Sequence, residues 1–235
     1  MNFTLFHLAN SRSQRIIWLL EELFLDYQLV ICDTQKNGEI SDKIKHVHNL
    51  GKVPILVIDD DQKSDPIILT ESSAITDLFA YRYPDLGIKN LNSTEQVHYF
   101  YWKNFSEATL MPNLVLKQIF SQIIKRTPLP VRFITTFFKY GFDHGYLNPI
   151  LEQYMQNINA YLEQQQWMAG SKFTIADILI WFPIYACYQS NPDLSKYSHI
   201  QSYLDRIQNR PAFQTALEKG QWTDLDFKNY WQKSW

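Results

Sequence analysis

The sequence predicts an α/β domain over residues 1–87 followed by an all-α domain over residues 92–235. Three observations support this division. Up to Gly87, short runs rich in β-formers alternate with stretches of helical period; beyond Asn92 only the helical period remains; and Pro84-Asp85-Leu86-Gly87 between them stops a helix. At 235 residues the chain has ample length to bury a core.

Residues 3–8 alternate with Phe3 and Leu5 on one face and Phe6 and Leu8 on the other, and both faces are apolar. Such a strand belongs in the middle of a sheet covered by helices. Residues 9–13 are a polar turn, and Ile16, Ile17, Leu20, Leu23 and Phe24 mark the inner stripe of a helix ending near Leu25. Residues 27–31 read as a second strand, which completes a β-α-β unit. Residues 38–48 are polar and compatible with a helix. The apolar run 55–58, the acidic turn 59–61 and the short run 67–69 predict a hairpin. A helix over about 72–83 then places Ile75, Leu78 and Phe79 on one face.

In the second domain, Asn92 and Glu95 have capping-box spacing and open a long helix in which Pro112 is a kink point. The sequence RTPLP at 126–130 breaks it, and the aromatic, less periodic stretch 133–146 predicts a short helix. Leu147, Ile150, Leu151, Tyr154, Met155, Ile158, Tyr161 and Leu162 keep three-four spacing and predict another. Thr174 and Asp177 form a second N-cap pair, for which a structural role is expected rather than a catalytic one. Residues 194–207 predict a further helix, and Arg210-Pro211-Ala212-Phe213 starts a last short one. The tail from Gln221 carries Trp222, Trp231 and Trp235 and is expected to dock.

The formal net charge of -2 and pI of about 6.3 give no reason to expect nucleic acid or an anionic membrane as a partner. No apolar run approaches about 18 residues, and the N-terminus is a strand pattern rather than a leader, so a soluble, cytoplasmic protein is expected. Cys32 and Cys187 are far apart and the histidines have no ligand spacing, so neither a disulfide framework nor a metal is indicated.

Two ligand-gripping devices stand within one hairpin's length. Pro54 has no N–H for a sheet ladder and holds Val53 extended, so Val53 can offer its N–H and C=O to an extended peptide. At Thr70-Glu71-Ser72-Ser73 a helix begins whose first N–H groups lack internal partners and favour a carboxylate, with Glu71 beside them to accept from an ammonium group. A small extended peptide with a free α-amino-acid end satisfies both. Val53-Pro54 together with Glu71-Ser72 and Ala74-Ile75 resembles the glutathione site in the thioredoxin-like domain of cytosolic glutathione S-transferases. The β-α-β-α-β-β-α order fits, and Thr174 with Asp177 resembles the capping box of that family's central helix. The resemblance implies a cis Val53–Pro54 peptide, with Val53 on the cysteinyl backbone, Glu71 and Ser72 on the γ-glutamyl end and Lys52 near the glycyl carboxylate. It also implies glutathione as cosubstrate, a small electrophile and a homodimer.

Glutathione transfer requires a thiolate, because only the anion is a strong nucleophile. Lowering a thiol pKa of about 8.5 by roughly two units takes about 2.7 kcal/mol of preference for the anion. Hydrogen-bond donors beside a helix N-terminus supply that order of energy, so the donor belongs in the turn after the first strand. That turn offers Asn10, Ser11, Arg12 and Ser13. The motif NSRSQRIIWLLEEL resembles a fungal and bacterial group of the family, yet the residue aligned with the family's serine or cysteine is Asn10, with Ser11 next. Ser11 and then Asn10 are the catalytic candidates; a backbone N–H, or capping alone, are the alternatives. The turn lacks the cysteine that a thiol-reducing enzyme needs for a mixed disulfide. Cys32 reads as packing, and His7 either tunes the site or is a satisfied strand-end residue. Met111, Leu114, Phe120 and residues 133–140 could line an electrophile site between the domains, although a core role explains each equally well. The resulting expectation is glutathione transfer to a hydrophobic electrophile. The rivals are a catalytically weak glutathione-binding module and a glutathione-dependent peroxidase.

Overall fold

Strand β1 (Asn2–His7) lies inside a four-stranded sheet of order β2-β1-β3-β4, parallel to β2 (Gln28–Ile31) and antiparallel to β3 (Ile55–Asp59), which pairs in turn with β4 (Ile67–Thr70). This central place is what its apolar faces require. Phe3, Leu5 and His7 are buried, and Thr4 and Phe6 on the other face are half-buried. The computed structural model describes residues 1–33, 42–60 and 65–235. It divides into one unit of Met1–Asn90 with Ile207–Thr223 and another of Leu91–Arg206 with Asp224–Trp235.

In the first unit, helix α1 (Gln14–Glu22) is buried on every side from Gln14 to Leu20, rather than along the single stripe its spacing predicts. Trp18 meets Phe213 edge-on with ring centroids 4.8 Å apart. Glu22 accepts from Trp18 Nε1 at 2.8 Å and from Arg210 Nε and Nη2 at 2.6 and 2.7 Å. The second face is therefore covered by a segment almost two hundred residues away, which local periodicity cannot register. Phe24, placed on the predicted stripe, lies past the helix end at φ 51° and is 93% exposed. Helix α2 occupies Ser72–Arg82. Of the predicted helix over 38–48, residues 38–41 lie outside the described residues, as does Asp61 of the acidic turn. Asp42–His46 form a 3-10 turn.

The second unit carries α3 (Ser93–Asn104), α4 (Met111–Arg126), α5 (Arg132–Phe142), α6 (Asn148–Gln164), α7 (Ile175–Ser190), most of α8 (Ser198–Gln208) and α10 (Asp224–Gln232), whereas α9 (Pro211–Lys219) belongs to the first. Pro112 and Pro149 each follow a π-helical segment, Phe105–Leu110 and Asp143–Leu147. A proline in a helix lacks the N–H of its backward bond and crowds the carbonyl it would have used. The widened turn ahead of each proline lets the helix continue, so Pro112 does not end the long helix, and 132–164 is a nearly unbroken one. Helix α7 is the centre of this unit, with every residue from Ile175 to Ile184 buried. Its capping box is formed as predicted: Thr174 and Asp177 each bond the other's backbone. The tail also docks, since Phe227 packs on Phe182 with ring centroids 5.4 Å apart and Trp231 is buried.

Candidate functional site

The sheet register determines which loops meet. Phe6 pairs with Ile55 and Ile55 with Thr70, so the end of β1, the start of β3 and the end of β4 form one row about 10 Å across. The turn 8–13 leaves from the first, Val53–Pro54 enters the second, and Glu71-Ser72 follows the third. Asn10, Ser11, Val53, Glu71 and Ser72 thus gather at one end of the sheet, with exposed Lys52 adjoining Val53. The Val53–Pro54 peptide is cis.

Glu71 adopts φ 68° and ψ 123°, outside the regions open to a residue with a Cβ. Such a conformation costs about 1–3 kcal/mol and persists where the surroundings impose it. Its carbonyl accepts the first bond of α2, from Ile75 N at 3.0 Å. The N–H groups of Ser72, Ser73 and Ala74 therefore precede the helix's own ladder, and Ser72 itself is buried.

The turn after β1 is held by a relay of hydrogen bonds that runs through His7 and Ser13. His7 is fully buried, with Nε2 at 2.9 Å from the Gly220 carbonyl and Nδ1 at 2.7 Å from Ser13 Oγ. A carbonyl only accepts, so Nε2 carries the proton and Nδ1 accepts from the Ser13 hydroxyl. Ser13 Oγ in turn accepts from Leu8 N at 3.2 Å and from the Ser11 hydroxyl at 2.7 Å. Asn10, at φ 56°, spends its side chain on Thr223: Oδ1 accepts from Thr223 N at 2.8 Å, and Nδ2 donates to Thr223 Oγ1 at 3.4 Å. Gly220 lies close to α1: a Cβ there would be 2.1 Å from Gln14 Oε1, so the Gln14 amide would have to move.

Burial lowers the His7 pKa to about 4, opposed by the bond to Gly220. The ring is therefore neutral in the folded chain and has an ordinary pKa of about 6.5 when unfolded. A depressed folded-state pKa contributes stability above pH 6.5 that is lost as the pH falls toward 4. The shift corresponds to about 3 kcal/mol across that window. In denaturant melts at pH 7 and pH 4.5, His7→Gln should show a smaller loss of stability than the wild type; an equal loss would remove His7 from this role.

Cys32 is buried, its thiol pushed up by that burial, and its N–H donates to the His7 carbonyl at 2.7 Å. Met111 and Leu114, candidates for an electrophile lining, are instead buried core residues of the second unit. Among the described residues, no group of three or more His, Cys, Asp or Glu could hold a metal. The structure also brings in residues that the sequence reading did not single out. Gly220 and Thr223 anchor the turn from more than two hundred residues away. The one available signal was His7 itself, a titratable ring on an apolar strand that must find partners when buried.

A mixed four-stranded sheet with a cis-proline loop at one end, continued by a helical unit, defines the class: a thioredoxin-like domain followed by an all-helical one. The model of the glutathione S-transferase N-terminal domain matches residues 5–87, and that of the C-terminal domain matches residues 146–211. Glutathione S-transferase 3 of Schizosaccharomyces pombe is 32% identical over 92% of this chain and 86% of its own length. The disulfide-bond oxidoreductase YfcG of Escherichia coli is 27% identical over 94% of this chain and 96% of its own. A glutathione S-transferase structure from Actinobacillus pleuropneumoniae superposes with a TM-score of 0.73 at 29% identity, covering 93% of each chain. The chain belongs to the glutathione S-transferase family.

Proposed function

We propose that the chain is a glutathione transferase that binds glutathione at the sheet end, holds its thiol as the anion and presents the sulfur to a small hydrophobic electrophile. The observation that carries this is the convergence at one sheet end of the Ser11 turn, the Val53 backbone and the Glu71-Ser72 helix start. In the reaction the thiol proton goes to solvent, the sulfur forms a bond to the electrophilic carbon, and the leaving group departs with its electron pair. Val53 pairs with the cysteinyl backbone, Glu71 and Ser72 hold the γ-glutamyl end, and Lys52 faces the glycyl carboxylate. Residues 1–87 form the glutathione domain and 92–235 the domain that meets the electrophile, in a cytoplasmic homodimer.

Ser11 is the donor this reading favours over Asn10. Both arms of Asn10 already serve Thr223, whereas the Ser11 hydroxyl need only rotate away from Ser13. That rotation leaves Ser13 Oγ satisfied by Leu8 N and forfeits one neutral hydrogen bond, about 1 kcal/mol. The charge-assisted bond gained to a thiolate is roughly twice as strong. The names of the matching relatives favour transfer over peroxide reduction or binding alone. For disulfide chemistry the turn 8–13 offers no cysteine, and burial raises the pKa of Cys32. Ser11→Ala should lower kcat for conjugation by roughly ten- to a hundredfold, the size of one lost charge-assisted bond, while glutathione affinity changes little. An unchanged kcat would exclude Ser11.

A further inference from the structure

The net charge of -2 averages over a strong local asymmetry. Across the 35 residues between Glu107 and Asp143 there is no acid, but there are five bases: Lys117, Lys125, Arg126, Arg132 and Lys139. The same stretch carries an apolar helix with an uncovered face. No residue of α5 is buried, and Phe133, Ile134, Phe137, Phe138 and Tyr140 are each more than half exposed, as is Leu129 just before them. An amphipathic helix ordinarily turns such a face to a core. Here the anchorage to α4 runs through Phe120, whose ring lies 5.8 Å from Phe138 and 4.7 Å from Phe142, and the rest of the aromatic face looks outward.

Lys117 and Lys139 are engaged by Asp143, which leaves Lys125, Arg126 and Arg132 as the positive flank of the patch. Beside it, α4 and the C-terminal segment enclose a groove of about 500 Å³. Val115, Ile119 and Ile123 supply its apolar wall, Lys125, Arg126 and Lys233 line it as well, and no acid does. Ile119 and Ile123 are themselves exposed.

We propose that this face of α4 and α5 docks on a bilayer containing anionic phospholipid. Helix α5 lies in the plane of the interface with its aromatic side chains among the upper acyl carbons, and Lys125, Arg126 and Arg132 meet headgroup phosphates. Aromatic and aliphatic side chains with a basic flank are the two signals that together hold a surface helix on a membrane. Charge selects lipid over a second copy of the chain: a symmetric pairing of this face would set its cations against themselves. Among the described residues no helix is long and apolar enough to cross a membrane, so the attachment is peripheral.

The test is co-sedimentation of the full chain with vesicles of phosphatidylserine and phosphatidylcholine, against vesicles of phosphatidylcholine alone, at low and high salt. At low salt the bound fraction should be at least tenfold higher on the anionic vesicles, and it should fall with salt. It should drop by tenfold or more in Phe133→Ser/Phe137→Ser and in Lys125→Glu/Arg126→Glu. All four positions are exposed, and an unchanged melting temperature and glutathione affinity establish that the variants fold. Equal binding to both vesicles, no binding, or variants that bind like the wild type would overturn the proposal. So would light scattering in which the phenylalanine variant halves the particle mass of a wild type that ignores vesicles, which would make this face a contact between copies.

Discussion

Replacing Asp177 with alanine lowers the melting temperature of the chain by roughly 10 °C. The carboxylate is fully buried and accepts four hydrogen bonds: from Met168 N at 2.8 Å, Tyr203 OH at 3.1 Å, Thr174 N at 2.9 Å and Thr174 Oγ at 3.3 Å. It joins the start of α7, the loop before it and α8, three elements with no other common polar partner in this set of bonds. Alanine leaves those donors buried without acceptors, each at about 1–3 kcal/mol; losses within one network are not additive, and the whole comes to roughly 3–5 kcal/mol. For a chain of this size each kcal/mol moves the transition by about 2–4 °C. Asp177→Asn, which keeps one acceptor oxygen, should lose less. Calorimetry on both variants checks the order, and an alanine variant melting within about 2 °C of wild type would mean that the network does not hold the unit together.

Glu71→Ala weakens glutathione binding by roughly ten- to a hundredfold. A carboxylate that accepts from an ammonium group contributes about 1.5–3 kcal/mol, and each 1.4 kcal/mol is a factor of ten. The backbone at Glu71 complicates a single substitution, because φ 68° with ψ 123° is as unfavourable for alanine as for glutamate. Glu71→Gly has no Cβ to oppose the positive φ and still removes the carboxylate. Titration calorimetry should show both variants losing affinity to a similar extent. If the glycine variant binds as tightly as wild type, the position matters for its backbone and the γ-glutamyl assignment is wrong.

How far the sequence could be read depended on whether the partner of each residue was near or far along the chain. The hairpin at Val53–Pro54 and the start of α2 at Ser72 were legible because proline chemistry and helix-start chemistry are local. So were the two capping boxes, where a side chain and its backbone partner stand three residues apart. Helix α1 was only half legible: its predicted stripe has a period, whereas Trp18 is covered by Phe213 of α9. The same distance hid the anchoring of the candidate site. Thr223 holds the Asn10 side chain, and Ser13 stands between Ser11 and His7; neither partnership has a signal in the local spacing of the turn. The short helix expected within 133–146 is present as α5, and what the sequence could not supply there is of a different kind. Phe133, Ile134, Phe137, Phe138 and Phe142 keep the helical period, yet no residue of α5 is buried, so an apolar stripe in the sequence marks a face without saying what covers it.

The most direct test of the central claim is an ultraviolet difference titration of bound glutathione against pH in the wild type, Ser11→Ala and Asn10→Ala. Thiolate activation puts the wild-type transition about two units below the free value of roughly 8.5. That transition should move back upward in Ser11→Ala and stay in place in Asn10→Ala. A wild-type transition at the free value would contradict thiolate activation altogether and leave a chain that binds glutathione without preparing it for attack.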